Sequence, residues 1–315
     1  SDTGNGLSTP RGWDHDGDGF LDYVYAGDLK GNVWKFDLSS NKKAEWEVSY
    51  SNTPLFVAKD AAGNPQPITG GLSIALDPVT FKPFVFFGTG KYLEQSDVAS
   101  VAGVPNTSTQ TWYGIRDNGA ITTGRTALQE RKLAVVGTTT IADPSGALNP
   151  DGTKKTIVRA TRGFEKHGPL DDTKKGWYVD LLQPPSPGTA QGERMVGDPF
   201  LLGRVLTAAS IIPSPDPCSG GGTGYLNAID AFTGTSVATP FFDANGDGNF
   251  DNDKVGTDDN EVPVGSIDPG VGMPTSPTII ESLVVVGGST GGTGSVKVNN
   301  PVLKARISWR EILRQ

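Results

Sequence analysis

Apolar residues along this chain recur at every second position and in short runs, the period of a strand with one face buried. Strands are predicted over Tyr23 to Asp37, Phe84 to Gly88, Trp112 to Ile115, Trp177 to Leu182, Arg204 to Ile212, Gly224 to Gly234 and Thr278 to Val286. Gly, Pro, Asn or Asp interrupts almost every candidate segment within about ten residues, so helical periodicity has no length over which to develop. One theme repeats: a β-rich run, a Gly-containing turn, and a second run ending in Asp, as in Tyr23 to Asp37 and again, with alternating Tyr225, Asn227 and Ile229, in Gly224 to Gly234.

That theme, closed by the Asp230 to Gly234 corner, predicts an all-β chain of modified β-propeller type with quinoprotein-like blades. Radial repetition protects the edges of many short strands, which favours a propeller over the β-sandwich that is the alternative. The repeat spacing is irregular, and the expectation is one domain over residues 1–315. Asp97 to Thr109, Gly137 to Thr153 and Gln183 to Gly192 are rich in Gly, Pro, Ser or Thr without an apolar pattern, and are expected to be loops.

Composition agrees, because 42 Gly and 23 Pro in 315 residues suit tight turns while 36% hydrophobic residues still allow a packed core. The net charge of −8 argues against a nucleic-acid partner, which would require clustered Lys and Arg. No run reaches the ~18 apolar residues of a membrane-spanning helix. Ser1 to Pro10 carry no signal-peptide pattern, so a leader is expected upstream in a longer precursor. Cys218 is the single cysteine and cannot form an internal disulfide.

The sharpest chemical signal is Asp14-His-Asp-Gly-Asp-Gly-Phe-Leu-Asp22. Carboxylates at positions 1, 3, 5 and 9, with Gly at 4 and 6, follow the opening of the EF-hand calcium loop. The predicted ligands are Asp14, Asp16, Asp18, the carbonyl of Phe20, and Asp22 directly or through water. Position 12 is Tyr25, so the bidentate Glu that closes an EF-hand is missing, and the flanks read as strand rather than helix. A second copy offers Asp243, Asn245, Asp247, the carbonyl of Asn249, and Asp251, with Asp253 near enough to substitute. Asn245 removes one charge, and weaker binding than in the first loop is expected. The competing reading of each is a solvated acidic turn.

Enzyme signatures are weak. Gly287 to Gly291 fits the nucleophile elbow G-x-S-x-G, but both histidines, His15 and His167, precede it, so a Gly-rich turn is expected. Gly88-Thr-Gly-Lys91 has Tyr92 where a phosphate loop needs Ser or Thr. Two scattered histidines and one cysteine do not suit zinc. Trp34, Trp112 and Trp177 lie in strand-like runs and are expected in the core.

The first acidic loop runs directly into Tyr25-Ala-Gly-Asp-Leu-Lys-Gly-Asn-Val-Trp-Lys-Phe-Asp-Leu38, and this combination resembles the PilC/PilY family of type IV pilus biogenesis and adhesion factors. The likeness continues through Phe86 to Leu93, Thr111 to Asn118, Gly176 to Leu181, Ile212 to Cys218, Gly224 to Gly234, the second acidic loop and Ser308 to Ile312. It implies a C-terminal propeller-like domain of a large exported protein at the surface of a Gram-negative bacterium, associated with pili or the outer membrane. It further implies Ca2+ in the first loop, minor pilins and host or abiotic surfaces as partners, and a noncatalytic role in pilus extension and retraction, twitching motility and adhesion. Because the chain begins at the calcium loop, it is expected to carry part of a closed propeller, with the blade count open. It lacks Arg-Gly-Asp, so integrin-type adhesion is not assigned. The alternatives are a calcium-dependent carbohydrate-binding domain and a quinoprotein-like enzyme.

Overall fold

The structure is a computed structural model and describes residues 4–100, 102–143, 145–216 and 221–302, so Cys218 and Ser308 to Ile312 lie outside it. Four largely antiparallel sheets follow one another and form a four-bladed, propeller-like arrangement. The first runs Arg11–Trp13, Tyr23–Gly27, Asn32–Asp37, with Glu47–Val48 and Phe56–Val57 sharing its outer side. The second runs Ser73–Leu76, Pro83–Gly88, Thr111–Arg116, Gly176–Asp180, and ends on Gln129–Arg131, the one parallel pairing.

The third sheet is the largest. From Phe200–Leu202 it passes through Val205–Pro213 and Gly222–Asp230 to the two-residue strand Ser266–Ile267, then to Thr156–Phe164 and Leu133–Ala142. Thr278–Ile280, Leu283–Gly287 and Thr293–Lys297 make the fourth.

The strands that open the sheets meet through small residues. Arg11 Nε donates to the Leu72 carbonyl (3.0 Å), and the Gly71 N–H donates to Asp198 Oδ1 (2.6 Å). A Cβ on Gly70 would lie 2.5 Å from the Gly197 backbone carbonyl oxygen, so glycine is required there for close approach. The repeated turn also has a cause. Asp28 Oδ1 accepts from the Lys30 and Asn32 N–H groups, and Asp60 Oδ1 from those of Ala62 and Asn64, each turn completed by a glycine at positive φ, Gly31 and Gly63.

Phe84, Phe86, Trp112, Phe164 and Trp177 pack in one buried cluster between the second and third sheets. Trp34 is only half-buried, because its Nε1 donates to Asp28 Oδ2 (2.9 Å). Inside the third sheet Arg162 makes a two-pronged ion pair with Glu193 (2.6 and 2.8 Å), and Asn227 Oδ1 accepts from Arg162 and from Ser266 Oγ. A buried network of this kind fixes strand register, since a slip would leave the charges unpaired.

Several expectations change. The first six residues of the Gly137 to Thr153 stretch are strand, because Gly137 is a packing glycine whose Cβ would meet Val255 at 2.6 Å, not a turn residue. The Thr278 to Val286 run is a hairpin broken at Glu281 (φ 53). A two-stranded ribbon, Leu182–Gln183 with Thr189–Ala190, occupies much of Gln183 to Gly192, and the short helix Gln95–Val98 enters Asp97 to Thr109. The Gly287 to Gly291 segment is a turn in which Ser289 Oγ accepts the Met273 N–H (3.0 Å). No helix among the described residues is long and apolar enough to cross a membrane.

Candidate metal centres in two acidic loops

The first loop is the connection between Arg11–Trp13 and Tyr23–Gly27, whose register pairs Trp13 with Tyr23. Asp14 accepts N–H groups from Gly17 on Oδ1 (2.7 Å) and from Gly19 on Oδ2 (2.9 Å). Asp16 takes the Asp18 N–H (3.1 Å) and Asp18 the Phe20 N–H (2.8 Å). Gly17 and Gly19 adopt φ of +81° and +92°, which side chains resist, so the glycines at positions 4 and 6 are what let the backbone turn inside the carboxylates.

As a result Asp14, Asp16 and Asp18 each offer an oxygen within 4.8 Å of the others, and among the described residues no other group of three His, Cys, Asp or Glu does so. Asp22 is outside that trio. Its Oδ2 accepts the His15 N–H (2.7 Å), while its backbone is tied to Trp13 (3.0 Å) and Leu38 (2.7 Å), so it closes the loop onto the sheet. Phe20, whose carbonyl is the fourth expected ligand, has an exposed ring. An all-oxygen set suits a hard cation of the calcium class.

The second loop repeats three of the four bonds made on Asp14, Asp16 and Asp18, has no counterpart of the Gly17 bond on Asp243 Oδ1, and closes differently. Asp243 Oδ2 accepts the Gly248 N–H (3.0 Å), Asn245 Oδ1 the Asp247 N–H (2.9 Å), and Asp247 Oδ1 the Asn249 N–H (2.7 Å). Asn249 then caps the single 3-10 turn Phe250–Asn252 by accepting the Asp251 N–H (3.1 Å). That turn displaces the closing carboxylate from position 9 to position 11. Asp251 is exposed on the turn, whereas Asp253 Oδ1 accepts the Ala244 and Asn245 N–H groups (2.8 and 3.2 Å), as Asp22 does for His15. Asp243 and Asp253 are 4% and 3% exposed. Burial, with Asp243 and Asp247 nearby, pushes the Asp253 carboxyl up to about 6. The Asn252 and Asn245 amides hold Asp247 Oδ2 at 2.8 and 3.1 Å, and Asp247 sits below its usual value.

Beside the first loop, a cavity of about 370 Å³ is lined by His15, Tyr23, Lys35, Lys82 and Asp117. The Lys35 ammonium lies 3.8 Å from the centre of the Tyr23 ring and 2.8 Å from Asp117 Oδ2. The Tyr25 and Tyr50 hydroxyls donate to Asp117 at 2.7 and 2.8 Å. Burial raises the Asp117 carboxyl, but the hydrogen bond and charge of Lys35 outweigh it and leave the group low, while burial and Asp117 push both tyrosines up. Sequence reasoning places Asp117 only in a strand motif, since its partners stand 67 to 92 residues away in the chain.

Fold and loops together define an all-β propeller module that carries acidic loops on the connections between its strands. Residues 1–140 match the family described as the PilY1 β-propeller domain. A type IV pilus biogenesis factor PilY1 homolog of Xylella fastidiosa is 32% identical over 98% of this chain. PilY1 of Pseudomonas aeruginosa is 32% identical over 76%. The crystal structure of the P. aeruginosa PilY1 C-terminal domain superposes with a TM-score of 0.73 at 29% identity, covering 94% of this chain and 61% of that one. The chain belongs to the PilY1 family of type IV pilus biogenesis factors, and it spans about a fifth of the length of these curated relatives (22% and 21%).

Proposed function

We propose that this chain is a noncatalytic, calcium-responsive module of a surface-exposed, pilus-associated biogenesis factor, and that the first loop sets the balance between pilus extension and retraction, and so twitching and attachment. The observation that carries the reading is the convergence of Asp14, Asp16 and Asp18 within 4.8 Å on a loop closed by Asp22. Relatives described as pilus biogenesis factors support the setting, which brings minor pilins and host or abiotic surfaces as partners.

Bound calcium would supply the positive charge that three adjacent carboxylates lack. The chain does the rest. Gly17 and Gly19 direct amide groups toward Asp14, and Asp22 passes the closed state of the loop to the first sheet through Trp13 and Leu38. At about a hundredfold excess over the dissociation constant, such a site contributes about 2.7 kcal/mol, enough to order the loop.

Calorimetric titration of calcium into chelated protein tests this. Asp16→Ala and Asp18→Ala are expected to remove the first-loop heat and, in cells, to alter piliation or twitching. Unchanged heats in both variants would end the reading.

A further inference from the structure

The second loop contains a feature the first does not. Asp243 Oδ1 and Asp253 Oδ2 are both buried and have no hydrogen-bond partner. Their sister oxygens accept from Gly248, Ala244 and Asn245, so the loop's own backbone holds both carboxylates in place, and the two are close enough to feel each other's charge. A buried carboxylate oxygen without a partner is costly, and two on adjacent groups more so. No nearby cation donates to these two oxygens, although the Arg159 charge acts on Asp243. Arg159 donates to the Ala244 carbonyl (3.5 Å), and the Lys297 ammonium lies over the Phe250 ring, 5.8 Å from its centre.

We infer that the Asp243 to Asp253 loop is a second divalent-cation site of the calcium class, built on the buried pair Asp243 and Asp253 and closed by Asp253 instead of Asp251, that fastens the fourth sheet to the third. Two carboxylates match the charge of one such ion, and Asn245 and Asp247 offer further oxygens on the exposed side. The placement assigns the fastening role. The Asp243 N–H donates to the Lys297 carbonyl of the fourth sheet (2.9 Å), and the Asp253 carbonyl accepts from Val264 (3.0 Å), just before Ser266–Ile267 of the third. Phe242 bridges to Val298, and Arg159 reaches the loop from Thr156–Phe164. Phe241, Phe242, Ala244, Val255, Val262 and Val296 pack around the loop's base in one core cluster.

The site is separate from the first loop, so the experiment uses the whole chain with Asp16→Asn and Asp18→Asn in place, stripped by chelator and titrated with calcium. One equivalent is expected to remain and to raise the melting temperature. In that background Asp243→Asn and Asp253→Asn should each weaken binding about tenfold or more, while Asp251→Asn should leave it within about twofold. A shared proton would also relieve the buried pair, and in that case the first-loop variant would bind no calcium, overturning the proposal without any change to the second loop. Loss of binding in Asp251→Asn with retention in Asp253→Asn would overturn the assignment of the closing ligand.

Discussion

The two acidic loops share the bonds donated from positions 5, 6 and 7 and differ at position 4, where only the first loop's Asp14 Oδ1 has a partner. They then diverge, one lying open on a hairpin end and the other rooted in the core. In the first, Asp16 and Asp18 are exposed and three carboxylates crowd together. In the second, a 3-10 turn adds two residues, and the closing carboxylate comes to lie at 3% exposure. On the two proposals, the difference separates two tasks. An exposed loop can fill and empty while only its Asp22 link carries the change into the first sheet, which suits a response to calcium concentration. A buried loop shares its free energy with the packing around it, which suits a permanent fastening.

The largest expected effect contrasts the closing residues. In saturating calcium Asp253→Ala should cost about 5 kcal/mol, from a lost ion contribution of about 2.7 kcal/mol and two stranded amide groups at about 1 kcal/mol each. Asp22→Ala strands one solvent-accessible amide and should cost about 1 kcal/mol. Urea unfolding with and without chelator measures both. Equal costs would erase the distinction, and the gap should narrow when calcium is removed.

Next comes Asp117, which joins the first sheet to the second beside the first loop. Its folded-state value is lowered relative to the unfolded chain, so its stabilisation is complete above the unfolded carboxylate value of about 3.9 and is lost as pH falls through the folded one. Asp117→Asn should cost about 2 kcal/mol at neutral pH and flatten the acid limb of a stability-versus-pH curve. Unchanged calcium heats in this variant would show that the first loop responds independently of the cluster beneath it. The smallest effect belongs to Gly19→Ala. Its φ of +92° should cost about 1 kcal/mol and weaken only the first site in a two-site titration.

What could be read from sequence depended on locality. Gly17 and Gly19 made the geometry of the first loop legible, because the turn and its carboxylates lie within nine consecutive residues. The shift from Asp251 to Asp253 was visible only as an option, since nothing in Asn249 to Asn252 announces a 3-10 turn before it forms. All-β architecture followed from the alternation. The long strand Leu133–Ala142 did not, because Gly137 reads as a turn until Val255 is known to pack against it. Glu281 at positive φ concealed a hairpin for the opposite reason: no glycine marks the turn.

Ser266–Ile267 has a consequence for how the molecule is made. By strand pairing, the hairpin of Leu133–Ala142 and Thr156–Phe164 joins the rest of its sheet through those two residues, set between Thr156–Phe164 and Gly222–Asp230, and Arg162 adds side-chain bonds to Glu193 and Asn227. As the chain emerges from its N-terminal side, this hairpin must wait roughly a hundred residues for its neighbour, with its inner edge open meanwhile. Holding such an edge apart from other chains until that neighbour arrives is then a task for whatever escorts the nascent polypeptide.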